Sequence, residues 1–317
     1  MFIIKYKKIR NELKVSTIAL GTWAIGGDFW GEADDASSIR TIKAAIDNGI
    51  NLIDTAPIYG RGHSEIIVGK AIKGRREDVV ISSKCGLTWE NQNSETEKNL
   101  RPESIRQEID ESLSRLGIDV IDIYFIHYPD KDTPLEDTLA ELQRIKKAGK
   151  VRYLGVSNFD TSLLLEAMEI ADIACIQPQY SLLDRNIEDS LLPFCHENNV
   201  EVLSYGSLGG GILTGKYTDK FQLNDGDKRS QFYPYFQEPC WTKVLELVEV
   251  LKNIAADHNC PVPHVSLNWV RQQSGITSAL VGARTVEQAK QNAVAADWDL
   301  SGDELKKIEA AYQNIFG

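Results

Sequence analysis

The chain has 317 residues, 42% of them apolar, and a formal net charge of −11, so it is long enough for a sizeable core and carries an acidic surface. An acidic surface repels phosphodiesters, which argues against nucleic acid and anionic membrane as partners, and no apolar run is long enough to span a bilayer. The opening Met1-Phe2-Ile3-Ile4-Lys5 is too short and too soon charged for a secretory signal, and five scattered cysteines without a Cys-x-x-Cys pair suit a reduced cytosol, so a cytoplasmic location is expected.

The stretch from Tyr6 to Val15 reads as a hairpin that covers the bottom of whatever follows. A first strand over 17–22 ends Leu20-Gly21-Thr22-Trp23. Ile39, Ile42 and Ile46 mark a helix begun by Asp34-Asp35 and closed by Gly49. Strands follow over 50–54 and 79–84, then a long loop over 86–101. Ile105, Ile109, Leu113 and Leu116 recur at helical spacing between Pro102 and Gly117; Leu135, Leu139, Leu142 and Ile145 do the same up to Gly149. Further strands are expected over 120–127, 151–157, 173–177, 200–205 and 278–282, with a second long loop over 206–240. These runs are short, rich in Val and Ile and not strictly alternating, as in parallel strands buried on both faces. Strands alternating with helices throughout predict a closed (β/α)₈ barrel, one domain over residues 1–317. The missing G-x-G-x-x-G after the first strand argues against an open doubly wound sheet.

The strand ends carry the chemistry. They close in Asp54, Lys84, His127, Ser157-Asn158, Gln177 and Tyr205, and in a barrel all of these fall on the C-terminal face, where active sites sit. Tyr59 follows Asp54 by five positions. Any one such residue alone is most simply a strand cap. Four of them, a phenol, an ammonium, a carboxylate and an imidazole, make a tuned proton donor. Tyr59 is the expected general acid, Lys84 the cation that lowers its pKa, Asp54 the partner that holds Lys84, and His127 the group that orients the substrate oxygen. A carbonyl that accepts hydride develops oxyanion charge, so the set suits carbonyl reduction.

Side chains cannot supply hydride, so a cofactor is required. The run Gly282-Ala283-Arg284-Thr285 leads into a helix with Gln288 and Asn292, and a helix start beside an arginine suits phosphate. Gly210 to Lys216 matches G-x-x-x-x-G-K, but Tyr217 stands where a P-loop needs Ser or Thr, so the run reads as a glycine-rich lid. The polar stretch Asp225, Asp227, Lys228 and Arg229 follows it. His258, Cys260 and His264 lie close together without a fourth ligand, so no metal is expected. Cys85, beside Lys84, is either a reactive thiol or a packed one. Trp23, Phe29, Trp30, Trp89, Tyr128 and Phe159 stand just past strand ends, where they suit a pocket mouth.

Gly21-Thr22-Trp23, Asp54-Thr55-Ala56-x-x-Tyr59-Gly60, Ser83-Lys84, His127, Gly155-Val156-Ser157-Asn158-Phe159 and Gln177-Pro178-Gln179-Tyr180 together resemble the aldo-keto reductases, almost end to end. Gly21 to Gly27 and Tyr205-Gly206-Ser207-Leu208 look most like bacterial members similar to the inositol-operon protein. The resemblance implies NADPH, with NADH possible, and a small carbonyl substrate. It implies Tyr59 as proton donor with Asp54, Lys84 and His127 as partners. Ser157, Asn158 and Gln177 resemble the contacts to the nicotinamide amide, and Tyr205 the ring that stacks on it. Gly206, Ser207, Leu208, Gly210, Thr214, Gly215, Lys216 and Arg229 fall in the pyrophosphate loop, and Gly282, Ala283, Arg284, Gln288 and Asn292 at the adenosine end. Gly21, Thr22, Trp23 and Asp54 border the nicotinamide; Trp23, Trp30, Trp89 and Tyr128 line the substrate pocket. The chain departs from the mammalian aldose-reductase pattern, which has Lys at the position of Gly282 and Arg at that of Gln288, so NADPH preference rests on Arg284. Two other readings stay open: a lyase using Lys84 as a Schiff base, and a nucleotide-sensing regulatory protein with little turnover.

Overall fold

A computed structural model describes residues 4–27, 34–91, 94–218 and 229–317. Eight parallel strands close into a barrel: β1 Ile18–Gly21, β2 Leu52–Asp54, β3 Val80–Cys85, β4 Ile121–Ile126, β5 Val151–Ser157, β6 Ile173–Gln177, β7 Glu201–Ser204 and β8 Ile276–Gly282. Each pairs with its neighbour in chain order, and β8 closes on β1 with Gly282 opposite Gly21. This is the expected (β/α)₈ barrel.

Helices surround it: α1 Trp23–Gly26, α2 Asp35–Asp47, α3 His63–Ile72, α4 Pro102–Leu116, α5 Leu135–Lys147, α6 Thr161–Ile170, α7 Leu191–Glu197, α8 Arg229–Phe232, α9 Cys240–Asp257, α10 Val262–Gln272, α11 Val286–Val294 and α12 Gly302–Phe316. Their ends follow local chemistry. The Asp34 carboxylate accepts from the Ser37 amide to start α2, and Pro102 opens α4, whose end turns at Gly117 with φ 65°.

The apolar residues form two layers. One lies between strands and helices. The other fills the barrel interior with Ala19, Leu52, Val80, Ile123, Phe125, Ala174, Leu203 and Leu280. The hairpin Tyr6–Ile9 with Leu13–Ser16 adds Ile9 and Val15, both fully buried, to this inner layer and so stoppers the N-terminal end. The other end is left for chemistry.

The two long loops are more regular than sequence suggests. Within 86–101, Leu87–Thr88 pairs antiparallel with Glu97–Lys98. Within 206–240, a 3₁₀ segment Gly209–Thr214, α8, and a second 3₁₀ turn Pro234–Phe236 are held by buried Tyr233 and Tyr235. Residues 219–228, with Asp225, Asp227 and Lys228, lie outside the described residues.

One buried carboxyl makes stability depend on pH. Glu108 on α4 accepts from the Gly86 amide at 3.0 Å and the Ser104 hydroxyl at 3.2 Å, and burial pushes its pKa from 4.5 up to about 8. Across that interval the folded chain holds a proton that the unfolded chain has lost, so stability falls as pH rises. Glu108→Gln removes this dependence. Its melting temperature relative to the parent should rise between about pH 5 and about pH 8.5; a difference that does not change with pH would show that Glu108 does not titrate in this window.

Candidate active site

Lys84 is the anchor of the barrel mouth. β3 alternates, so Ser82 and Lys84 turn inward while Ser83 turns toward α3, where its hydroxyl reaches Glu65 at 2.7 Å. The Lys84 ammonium donates to both oxygens of Asp54, at 2.9 and 2.7 Å, and to the Thr55 carbonyl at 2.9 Å. These are three acceptors for three protons, in a side chain with no exposure. Asp54 also accepts from Ser82 at 2.8 Å and from Gln177 at 2.9 Å. Burial lowers the Lys84 pKa, and Asp54 opposes that shift. A lysine bound this way is not the unpaired amine that a Schiff-base lyase needs.

Tyr59 lies in the turn after β2, with its ring centroid 5.0 Å from the Lys84 nitrogen. The His127 ring meets it edge-on, centroids 6.0 Å apart. The expected lowering of the Tyr59 pKa is not what the structure gives. Burial pushes it well above 10, and the Asp54 charge pushes the same way. Burial is the larger of the two causes. Burial, aided by Lys84, drives the His127 pKa well below its ordinary value. The phenol and the imidazole are both neutral at rest.

The rest of the rim is tied to this centre. Ser157 donates to the Gln177 carbonyl at 2.7 Å. Asn158, in the left-handed region at φ 60°, donates to the His127 carbonyl at 2.9 Å and accepts from the Tyr205 hydroxyl at 2.8 Å. Tyr128 stacks on His127 at 5.3 Å. Trp23 stacks on Tyr59 at 6.2 Å and meets Phe232 edge-on at 5.3 Å. Phe232 is 46% exposed and sequence reading passed over it. The signal was there in the aromatic run Phe232-Tyr233-Pro234-Tyr235-Phe236 inside a polar loop. Trp89 lies under the Arg61 guanidinium at 5.7 Å. Phe159 is packed in the core between strands and helices rather than at the mouth. Phe29 and Trp30 lie outside the described residues.

On the far side of β1, Gly21 and Gly282 form a bare ledge. Gly282 is exposed, and a Cβ there would meet only the Gly21 carbonyl, at 3.8 Å. Beyond buried Ala283, the Arg284 amide donates to the Gln288 side chain at 2.8 Å, Thr285 caps α11, and Asn292 donates to the Gly282 carbonyl at 3.2 Å. Ser207 binds the Leu280 carbonyl at 3.0 Å, joining the loop from Gly206 to Lys216 to the same ledge. Leu208 precedes the 3₁₀ segment, in which Gly210 and Gly211 take φ 68° and 96°. Thr214 donates to the Gly211 carbonyl at 2.7 Å, Gly215 ends the segment at φ 75°, and Lys216 stands 4.8 Å over the Tyr217 ring. Arg229 donates to the Gly210 carbonyl at 2.9 Å and to Tyr217 at 2.6 Å. A P-loop opens a long helix; this loop opens a 3₁₀ turn. The glycine ledge and the glycine loop are joined through Ser207 and the Leu280 carbonyl, and the capped start of α11 is tied to the ledge through Asn292 and the Gly282 carbonyl.

Cys85 is packed: it is buried, and burial and Glu108 hold its pKa well above the ordinary thiol value. Among the described residues no group of three or more His, Cys, Asp or Glu is placed to hold a metal ion. His258 stacks on Trp298 at 4.2 Å and pairs with Glu304 at 2.5 Å.

Residues 17–313 match the pattern of the aldo/keto reductase family. The chain belongs to the aldo/keto reductase family. It is 40% identical to the NADH-specific methylglyoxal reductase of Escherichia coli strain K12 over 92% of this chain and 93% of that protein. The glycerol dehydrogenase of Gluconobacter oxydans superposes with a TM-score of 0.91 at 39% identity, covering 99% of this chain and 95% of that one. An aldo/keto reductase of Klebsiella pneumoniae in complex with NADP and acetate superposes with a TM-score of 0.76 at 29% identity, covering 98% and 96%. The resemblance read from the motifs is therefore borne out, and so is the barrel.

Proposed function

We propose that this aldo/keto reductase reduces small aldehydes or ketones to alcohols in the cytoplasm, with NADPH preferred and NADH accepted. One observation carries the reading: a half-buried neutral phenol, Tyr59, stands beside the fully bonded Lys84–Asp54 pair and the neutral imidazole of His127. When bound, the dinucleotide supplies hydride. A neutral imidazole has one N–H, which His127 offers to the substrate oxygen to orient it. Tyr59 gives its proton to that oxygen as alkoxide charge develops. The phenolate left behind faces Lys84, whose charge Asp54 maintains against burial. Asn158, fixed by His127 and Tyr205, and Ser157 and Gln177 beside it would meet the cofactor amide. Five unpaired cysteines, three of them buried, support a reducing compartment.

Steady-state assays on a panel of small carbonyls with each cofactor test the reading. Turnover supports it. Tight nucleotide binding without turnover on any carbonyl would establish the sensing alternative. NADPH preference is assigned to Arg284, at the exposed start of α11. Arg284→Ala should weaken NADPH by about 10-fold or more, the scale of one charge-assisted contact, and NADH far less, because only NADPH carries the 2′-phosphate. Equal weakening of both in a fluorescence titration would move the phosphate site elsewhere.

A further inference from the structure

A proton donor has to meet its substrate oxygen closely, yet Tyr59 belongs to no strand or helix. Its turn is gripped from several sides. The Tyr59 amide donates to the Ala56 carbonyl at 3.1 Å, and its carbonyl accepts from the Ser64 amide at 3.1 Å. The Ser64 hydroxyl lies 2.7 Å from that of Thr22 and 3.0 Å from that of Thr55. Thr22 in turn donates its amide and its hydroxyl to the Asp54 carbonyl, at 3.0 and 2.9 Å, and stands at the start of α1. This single turn touches the acid at both ends. Trp23 stacks on the Tyr59 ring. At the other end, a Cβ on Gly26 would stand 2.6 Å from the Tyr59 carbonyl carbon and 2.7 Å from the Gly60 nitrogen. A Cβ on Gly60 would stand 2.3 Å from the Gly26 oxygen. These are backbone contacts that no rotamer change relieves. Gly26 is outside the left-handed region, so a side chain there meets only this steric obstacle.

We propose that Gly26 is a positioning residue for the proton donor: its missing side chain lets α1 lie against the Tyr59–Gly60 backbone and fixes where the phenol stands. This inference rests on Tyr59 being the acid. Lys84 and Asp54 belong to barrel strands, so a displaced turn would carry the hydroxyl away from partners that stay behind.

Three variants test it: Gly26→Ala, Tyr59→Phe and the two combined. Gly26→Ala should lower kcat by roughly 10- to 100-fold, the scale of a misplacement of about 1 Å, with KM, NADPH affinity and melting temperature little changed. A solvent isotope effect measured in deuterated water should increase as proton transfer from the phenol becomes limiting. If Gly26 acts through the phenol, the combined variant is no slower than Tyr59→Phe alone. Gly302→Ala on α12, where a Cβ meets nothing within 4 Å, is the control and should match the parent. Losses that multiply in the combined variant, or parental kcat in Gly26→Ala, overturn the inference. A parent that reduces no carbonyl overturns the functional reading instead. If Gly26→Ala does not fold, Thr22→Val, which removes the hydroxyl link from the start of α1 to Asp54 and Ser64, enters the same cycle under the same criteria.

Discussion

Tyr59→Phe should lower kcat for carbonyl reduction by roughly two to four decades, the contribution expected of a general acid, while NADPH affinity stays near the parental value. The substitution keeps the ring, so the stack on Trp23 and the edge contact with His127 survive. It removes only the hydroxyl. Because burial and Asp54 hold the phenol protonated in the resting protein, the forward rate should not depend on Tyr59 titration across neutral pH. Near-parental turnover in this variant would remove Tyr59 from the chemistry and with it the role assigned to Lys84.

Lys84→Met should be damaging twice. The phenolate loses the cation that faces it, so kcat should fall by decades comparable to Tyr59→Phe. The Asp54 carboxylate, 3% exposed, is left without its counter-charge, and breaking a buried pair from one side costs about 3–5 kcal/mol of stability. Denaturant unfolding measures the second effect. Adding Asp54→Asn should restore much of the stability, because the orphaned charge is gone, and none of the activity. A single variant as stable as the parent would mean that the pair is not held as two charges. Restored activity in the double variant would mean that Lys84 is not needed by the phenol.

Much of this site was legible because a polar residue ending a run of Val and Ile is conspicuous. Asp54, Lys84 and His127 were visible that way, and the strand order placed them on one rim. Tyr59 was visible only by its distance from Asp54. What sequence could not convey was how groups share charge. The Lys84 ammonium is bonded to Asp54 and Thr55, and in the resting protein burial and the Asp54 charge hold the phenol protonated. Glu65 and Arg115 look like ordinary helix surface in the sequence, yet they form a 2.6 Å pair with Glu65 fully buried beneath α4. Phe232 and Trp23 are far apart in the chain, and no periodicity links them. The contact of Gly26 with Gly60 is of the same kind: two glycines read as flexible punctuation until the fold presses them together.

The hairpin that seals the floor with Ile9 and Val15 also governs traffic. Those two side chains continue a barrel interior already filled by Leu52, Phe125 and Leu203, so its base is solid rather than a second mouth. A molecule bound for Tyr59 therefore approaches from the C-terminal rim, and a few apolar residues at the opposite pole fix the direction of that approach.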